Sequence, residues 1–176
     1  MPLSKQNVSL ELASDVLVDF VREHSGTAAF KQYASVLKYR TWFFSPRKKL
    51  ALLEELFFLH SALAKAAIAS VDADQSTKIY LRTLFHFKLK QLVSVLSQDD
   101  PTFSARCKQH TDSYTSLLES GGDAIGLTPI FLSQLYRDPS KGLNLTASMG
   151  LLPILLTTQK LINDVAASMN VVPSSR

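Results

Sequence analysis

The sequence predicts an all-α protein, a compact bundle of seven to eight helices. Three observations predict it. Apolar residues recur at helical spacing through almost every segment of the 176-residue chain. A capping residue directly before proline reads as a helix start at three places, Ser45-Pro46, Asp100-Pro101 and Thr128-Pro129. No stretch sustains the alternation of a strand, and six glycines leave little room for a loop-rich fold.

The first helix reads Leu10 to His24, with Leu10, Ala13, Leu17, Phe20 and Val21 along one face and Gly26 after its end. The second runs from Thr27 to about Phe43, its inner face carrying Phe30, Tyr33, Ala34, Leu37 and Thr41. Ser45-Pro46 opens a third, which extends to Ser70 with Leu50, Leu53, Leu56, Phe57, Leu63 and Ala64 inward. A polar break, Val71-Asp-Ala-Asp-Gln75, follows. It is the candidate boundary between two packed helical halves, 1–72 and 73–176.

A fourth helix spans about Ser76 to Ser97, with Leu81, Leu84, Phe85, Leu92 and Val95 as its apolar side. Asp100-Pro101 starts a fifth that Gly121-Gly122 stops. Thr128-Pro129 starts a short sixth ending near Arg137, and Asp138-Pro139-Ser-Lys-Gly142 is a turn. The last helix covers about Thr146 to Met169 and contains Pro153, which either kinks it or marks a second start. Gly142 to Gln159 carries no charge, but Asn144, Thr146, Ser148, Pro153, Thr157 and Thr158 make it too polar for a membrane span, so it reads as a buried core helix.

With 46% hydrophobic and 19% charged residues, the composition is that of an ordinary globular core. A single cysteine, Cys107, excludes an intramolecular disulfide and a cysteine-based zinc site. The N-terminus lacks the apolar run of a signal peptide, so the expected location is cytoplasmic.

The expected class is a binding protein, not an enzyme, with no cofactor and no metal. There is no Gly-rich phosphate loop, no Gly-x-Ser-x-Gly elbow and no His-Glu-x-x-His helix. His24, His60, His86 and His110 are far apart and lack ligand-spaced partners. Cys107 lies between Arg106 and a lysine, which would lower a thiol pKa, although a lone helical cysteine is more often structural. Glu54-Glu55 and Asp99-Asp100 are neighbours pointing about 100° apart on a helix, so neither is a natural acid/base pair. Asp100 reads as a cap.

The charge pattern is the stronger signal. From His24 to Leu53 there is no Asp or Glu, while Lys31, Lys38, Arg40, Arg47, Lys48 and Lys49 all fall there. A second acid-free window, Gln75 to Gln98, holds Lys78, Arg82, Lys88 and Lys90. A net charge of +4 therefore understates the local positive potential, and such surfaces attract polyanions.

Arg47, Lys48 and Lys49 occupy the first turn of the helix opened by Ser45-Pro46, where the dipole is already positive. Each cation there costs about 0.3–1 kcal/mol before screening. A capping box would place Glu near that position. Exposed backbone N–H groups at the same end also donate to phosphate oxygens, which makes a phosphate clamp; the plainer reading is a solvated turn that tolerates lysine. Lys78, Arg82, His86 and Lys90 stand at i, i+4, i+8 and i+12. They form one slanted stripe rising about 6 Å per step, close to the spacing of neighbouring phosphates. Lys88 extends it at the rim. An ordinary polar face mixes signs to gain i,i+4 pairs, and this one has no acid. Tyr39, Trp42, Phe43 and Phe44 are core candidates, with Tyr39 and Trp42 the two that suit base stacking.

In length, helix content, the break at Val71–Gln75 and the basic windows at 24–53 and 75–98, the chain resembles the small RNA-silencing suppressors of closteroviruses. The resemblance covers the whole chain as a profile and rests on no diagnostic motif, so no residue's role is carried over from it. It implies a helical RNA-binding protein that assembles into rings with a positive inner surface.

The leading expectation is a sequence-independent RNA binder acting as a homo-oligomer. It contacts the phosphate backbone through Arg47, Lys48, Lys49, Lys78, Arg82, Lys88 and Lys90, with Lys38 and Arg40 nearby. The alternative is a helical protein-interaction adaptor, an effector or chaperone-like protein, using an apolar groove around Leu151–Leu156. A membrane-surface role for the basic stripe is the weakest of the three, and no membrane partner is expected.

Overall fold

The structure, a computed structural model, describes residues 5–37, 46–96 and 100–172. It is all-α, with seven α-helices among the described residues: α1 (Leu10–His24), α2 (Thr27–Val36), α3 (Pro46–Ala67), α4 (Gln75–Leu96), α5 (Phe103–Glu119), α6 (Ala124–Tyr136) and α7 (Leu145–Ser168). Short 3-10 turns follow α3 at Ile68–Ser70 and precede α7 at Pro139–Leu143. Two three-residue strands, β1 (Gln6–Val8) and β2 (Met169–Val171), complete it.

Helix α3 is the centre. From Leu56 to Ala64 every residue is buried, as expected of a helix enclosed on all sides. Helices α1 and α5 pack along it, α4 lies against α1 and α5, and α6 and α7 close the far side. The buried apolar residues form one cluster shared by elements on both sides of the Val71–Gln75 break.

Most helix ends have a visible chemical cause. The Ser9 hydroxyl accepts the Leu12 N–H at 3.1 Å to start α1. Asp74 accepts the Thr77 N–H at 2.7 Å to start α4, and Asn144 accepts the Ala147 N–H at 3.1 Å to start α7. Gly121 ends α5 at φ +85°, a conformation that glycine adopts without strain. The Ser45 cap expected for α3 lies outside the described residues.

Several expectations are corrected. Helix α2 ends at Val36 with its C-cap at Leu37, and the expected continuation to Phe43 lies outside the described residues. Leu50 is 55% exposed, because the first turn of α3 projects past the core that the rest of the helix fills. Helix α6 starts at Ala124, not at Thr128-Pro129: Asp123 accepts N–H groups of Ile125 and Gly126, and Pro129 sits inside the helix. A Cβ on Gly142 would lie 2.8 Å from the Pro129 carbonyl oxygen, so the 3-10 turn can close on α6 only with glycine there. Helix α7 is likewise continuous through Pro153. It buries one stripe, Ala147, Leu151, Leu155, Thr158, Ile162 and Ala166. Its other side is exposed, Leu145 to 77% and Met149 to 75%, so it is not the wholly buried core helix expected. By length and composition it is long and apolar enough to cross a membrane, a property that core helices of soluble proteins share.

The strands β1 and β2 pair in parallel, Gln6 with Met169, Asn7 with Asn170 and Val8 with Val171. Asp72 joins the other edge: its N–H donates to Met169 O at 3.0 Å and its carbonyl accepts the Val171 N–H at 3.1 Å. Lys5 Nζ adds an ion pair to Asp72 at 2.6 Å. Both ends of the described chain and the break between α3 and α4 are thereby tied at one place.

Candidate nucleic-acid interface

Helix α4 is built from parallel rows of residues four apart. Thr77, Leu81, Phe85, Leu89 and Val93 are its buried row. The basic row is displaced from it by one residue, or about 100° around the helix. Burying the first row therefore brings Arg82, His86 and Lys90 to the rim of a groove between α3, α4 and α5. Of the side chains expected on the apolar side, Leu81 and Phe85 are buried, Leu84 and Leu92 are half-buried, and Val95 is exposed.

The groove encloses about 520 Å³. Its floor is apolar, with Phe85, Leu89, Val93 and Cys107. Its rim carries Arg82, His86 and Lys90 from α4, Lys65 from α3 and Lys108 from α5. Four fixed cations thus face one lining acid, Asp112. Arg82 also stands 3.8 Å from Glu119, both side chains half exposed, a pairing that a polyanion can displace at little cost. Cations converging over an apolar, low-dielectric floor raise the local potential above what the net charge implies.

Lys65 and Lys108 escaped the reading of the sequence as partners of the stripe. Lys65 is a lone cation in the apolar run Ala62–Ala67, and Lys108 is adjacent to Cys107. Each is a weak local signal, and only the packing of α3 and α5 brings them to α4. Burial pushes the Cys107 thiol up to about 11, opposite to the direction an activated thiol needs.

The other expected cations are dispersed. Lys78 heads the stripe, but its ammonium donates to Ala69 O at 2.8 Å and closes the 3-10 turn after α3. Lys88 points the other way, to α1, where it donates to Asp15 at 2.6 Å and to Glu11 O at 3.2 Å. Arg47, Lys48 and Lys49 are exposed on the first turn of α3, with no ion pair among the described residues. Lys49 Nζ lies 5.7 Å from the centre of the Phe30 ring. Arg47 stands about 27 Å along α3 from Lys65, at 1.5 Å of rise per residue, so this cluster and the groove are separate surfaces on one chain. Lys38 and Arg40, with Tyr39 and Trp42, lie outside the described residues.

The neighbouring acids are occupied structurally. Arg106 Nη2 meets Glu54 at 3.0 Å and Asp100 at 2.9 Å. Hydrogen bonds from Thr102, then from Arg106, hold the Asp100 carboxyl down to about 2. Buried Glu55 accepts the Tyr114 hydroxyl at 2.5 Å and pairs with His110 Nδ1 at 2.8 Å. Among the described residues, no three His, Cys, Asp or Glu side chains converge as a metal site would require. No protein-family model, no curated protein and no solved structure matches the chain.

Proposed function

We propose that the chain binds RNA through its phosphate backbone, independently of sequence, along the α3–α4–α5 groove, as a binding protein rather than an enzyme. One observation carries this reading: Lys65, Arg82, His86, Lys90 and Lys108, from three helices, share a groove with a single lining acid. The stripe's rise of about 6 Å per step suits successive phosphates of one strand. The profile shared with the closterovirus suppressors supports a cytoplasmic viral suppressor of RNA silencing that acts as a homo-oligomer, in which basic faces of several copies converge.

The test is a salt-titrated binding measurement on mixed-sequence RNA, with an Arg82→Ala/Lys90→Ala/Lys108→Ala variant beside the wild type. Three lost phosphate contacts lower the slope of log K against log salt by about two to three. Unchanged affinity in that variant removes the groove from the reading, and no binding at low salt refutes the reading itself.

A second reading has its own observation. Leu151 and Leu155, where the apolar groove was expected, are buried in the core, but Leu145, Met149 and Leu156 leave the outer side of α7 apolar and exposed, which suits a helical protein-interaction adaptor. A Met149→Glu/Leu156→Glu variant that abolishes a protein complex while keeping RNA affinity would favour it.

A further inference from the structure

The exposed face of α4 carries more than charge. Tyr80 is 67% exposed and Phe87 57% exposed. They stand two helical turns apart on one side, with about 10 Å of rise between them. Thr83 and Lys90 complete the same row, and both also line the basic groove. The aromatic row and the groove therefore share an edge. Phe87 lies one turn before Lys90, one turn after Thr83, and next to His86 in the chain.

We propose that α4 takes single-stranded RNA, with Tyr80 and Phe87 as a platform for unpaired bases and Arg82, His86 and Lys90 on the adjoining phosphates. The inference rests on the RNA-binding reading above and deepens it. Charge complementarity selects the occupant: an apolar face intended for an apolar partner would not run along a row of cations. The geometry also selects the form of the strand. In an A-form duplex the bases stack on one another within the helix, and protruding rings cannot reach their faces. An unpaired strand can turn its bases onto exposed rings while its backbone follows the cations. The rise of about 10 Å between the two residues is about the reach of two nucleotides when backbone phosphates track a stripe stepping 6 Å.

The experiment compares a short unstructured RNA with a duplex of the same composition on the full chain, at fixed salt. The wild type is expected to bind the single strand about tenfold or more tighter than the duplex, since each stacked base contributes substantially to affinity. Tyr80→Ala/Phe87→Ala is expected to lose that preference, leaving duplex affinity within about twofold because its phosphate contacts persist. Tyr80→Phe/Phe87→Tyr keeps both rings and is expected to keep the preference. Should the double alanine variant lose helicity, the wild-type preference together with Phe87→Ala alone decides the question. Equal affinity for the two forms overturns the stacking platform and leaves the groove reading standing. So does single-strand affinity that survives the loss of both rings. If the RNA-free double alanine variant sediments as a smaller species than the wild type, a second copy of the chain covers this face and the platform is refuted. Failure of either RNA to bind at low salt overturns both readings together.

Discussion

Lys88 Nζ lies 2.6 Å from Asp15 Oδ1, joining α4 to α1 across 73 positions of sequence. The same ammonium donates to the Glu11 carbonyl, and the lysine side chain is only 23% exposed. Its charge is answered inside the fold and faces away from the groove. Lys88→Met is therefore expected to lower stability by about 0.5–1.5 kcal/mol, with the pair discounted because Asp15 is half in solvent. RNA affinity should stay within about twofold. Thermal melting and the salt titration, run on one preparation, check both halves. A large affinity loss without a stability loss would return Lys88 to the binding surface.

The first turn of α3 makes the opposite case. Arg47 and Lys48 are exposed beside a positive helix end and meet no acid among the described residues. Arg47→Ala/Lys48→Ala removes that repulsion and is expected to raise stability by about 0.5–1.5 kcal/mol. For a chain of this size that is about 2–4 °C in Tm per kcal/mol. Lys49 is left in place because it faces the Phe30 ring. The affinity lost should be smaller than in the groove variant, since these cations stand about 27 Å from Lys65 along the helix. Equal losses in the two variants would mean that bound RNA spans both surfaces.

The contrast between these lysines shows what was legible in the sequence. Periodicity and caps are local, so α1 is read to the residue and the i+4 stripe on α4 is found intact. The start of α6 is misread because Thr128-Pro129 carries a start signal that the Asp123 cap, five residues earlier, overrides. Strands of three residues hold too little alternation to register, and Gln6 pairs with Met169 from the far end of the chain. Charge is legible in amount but not in direction. Nothing near Lys88 announces Asp15, and nothing near Lys65 or Lys108 announces the groove they complete. Half of the candidate interface is local pattern, and the other half is packing.

His60 is wholly buried in α3, 5.8 Å from the His24 ring, and its Nε2 has no hydrogen-bond partner among the described residues. Burial, then repulsion from His24, lowers its pKa to about 3 from the ordinary 6.5. The folded state therefore holds the ring neutral where the unfolded chain protonates it. The unfolded chain binds more protons between those two values, so stability rises with pH there. It is fully present above about pH 6.5 and is lost as pH falls toward 3, by about 2 kcal/mol at pH 5. Urea unfolding at several pH values is expected to show this slope, and His60→Gln is expected to remove most of it. A slope unchanged in His60→Gln would assign it to other groups.

Glu55 holds the α3–α5 interface by a different means. Its buried carboxylate accepts the hydroxyl of fully buried Tyr114 and pairs with His110. Burial first, then the neighbouring carboxylate, raises the Tyr114 phenol well above its usual range, so it remains a donor at every working pH. Glu55→Ala leaves a buried hydroxyl and an imidazole nitrogen without their acceptor, which is expected to cost about 3 kcal/mol. In a chain of this length that lowers Tm by about 6–12 °C. Glu55→Gln retains an acceptor for the tyrosine at nearly the same shape and is expected to cost less than half as much. Tyr114→Phe removes the donor together with its need for a partner. In combination with Glu55→Ala it should recover part of the loss, so the double-mutant cycle is expected to be non-additive by about 1 kcal/mol or more. Strict additivity would mean that the two side chains contribute through packing alone, and that the short contact between them carries no coupling.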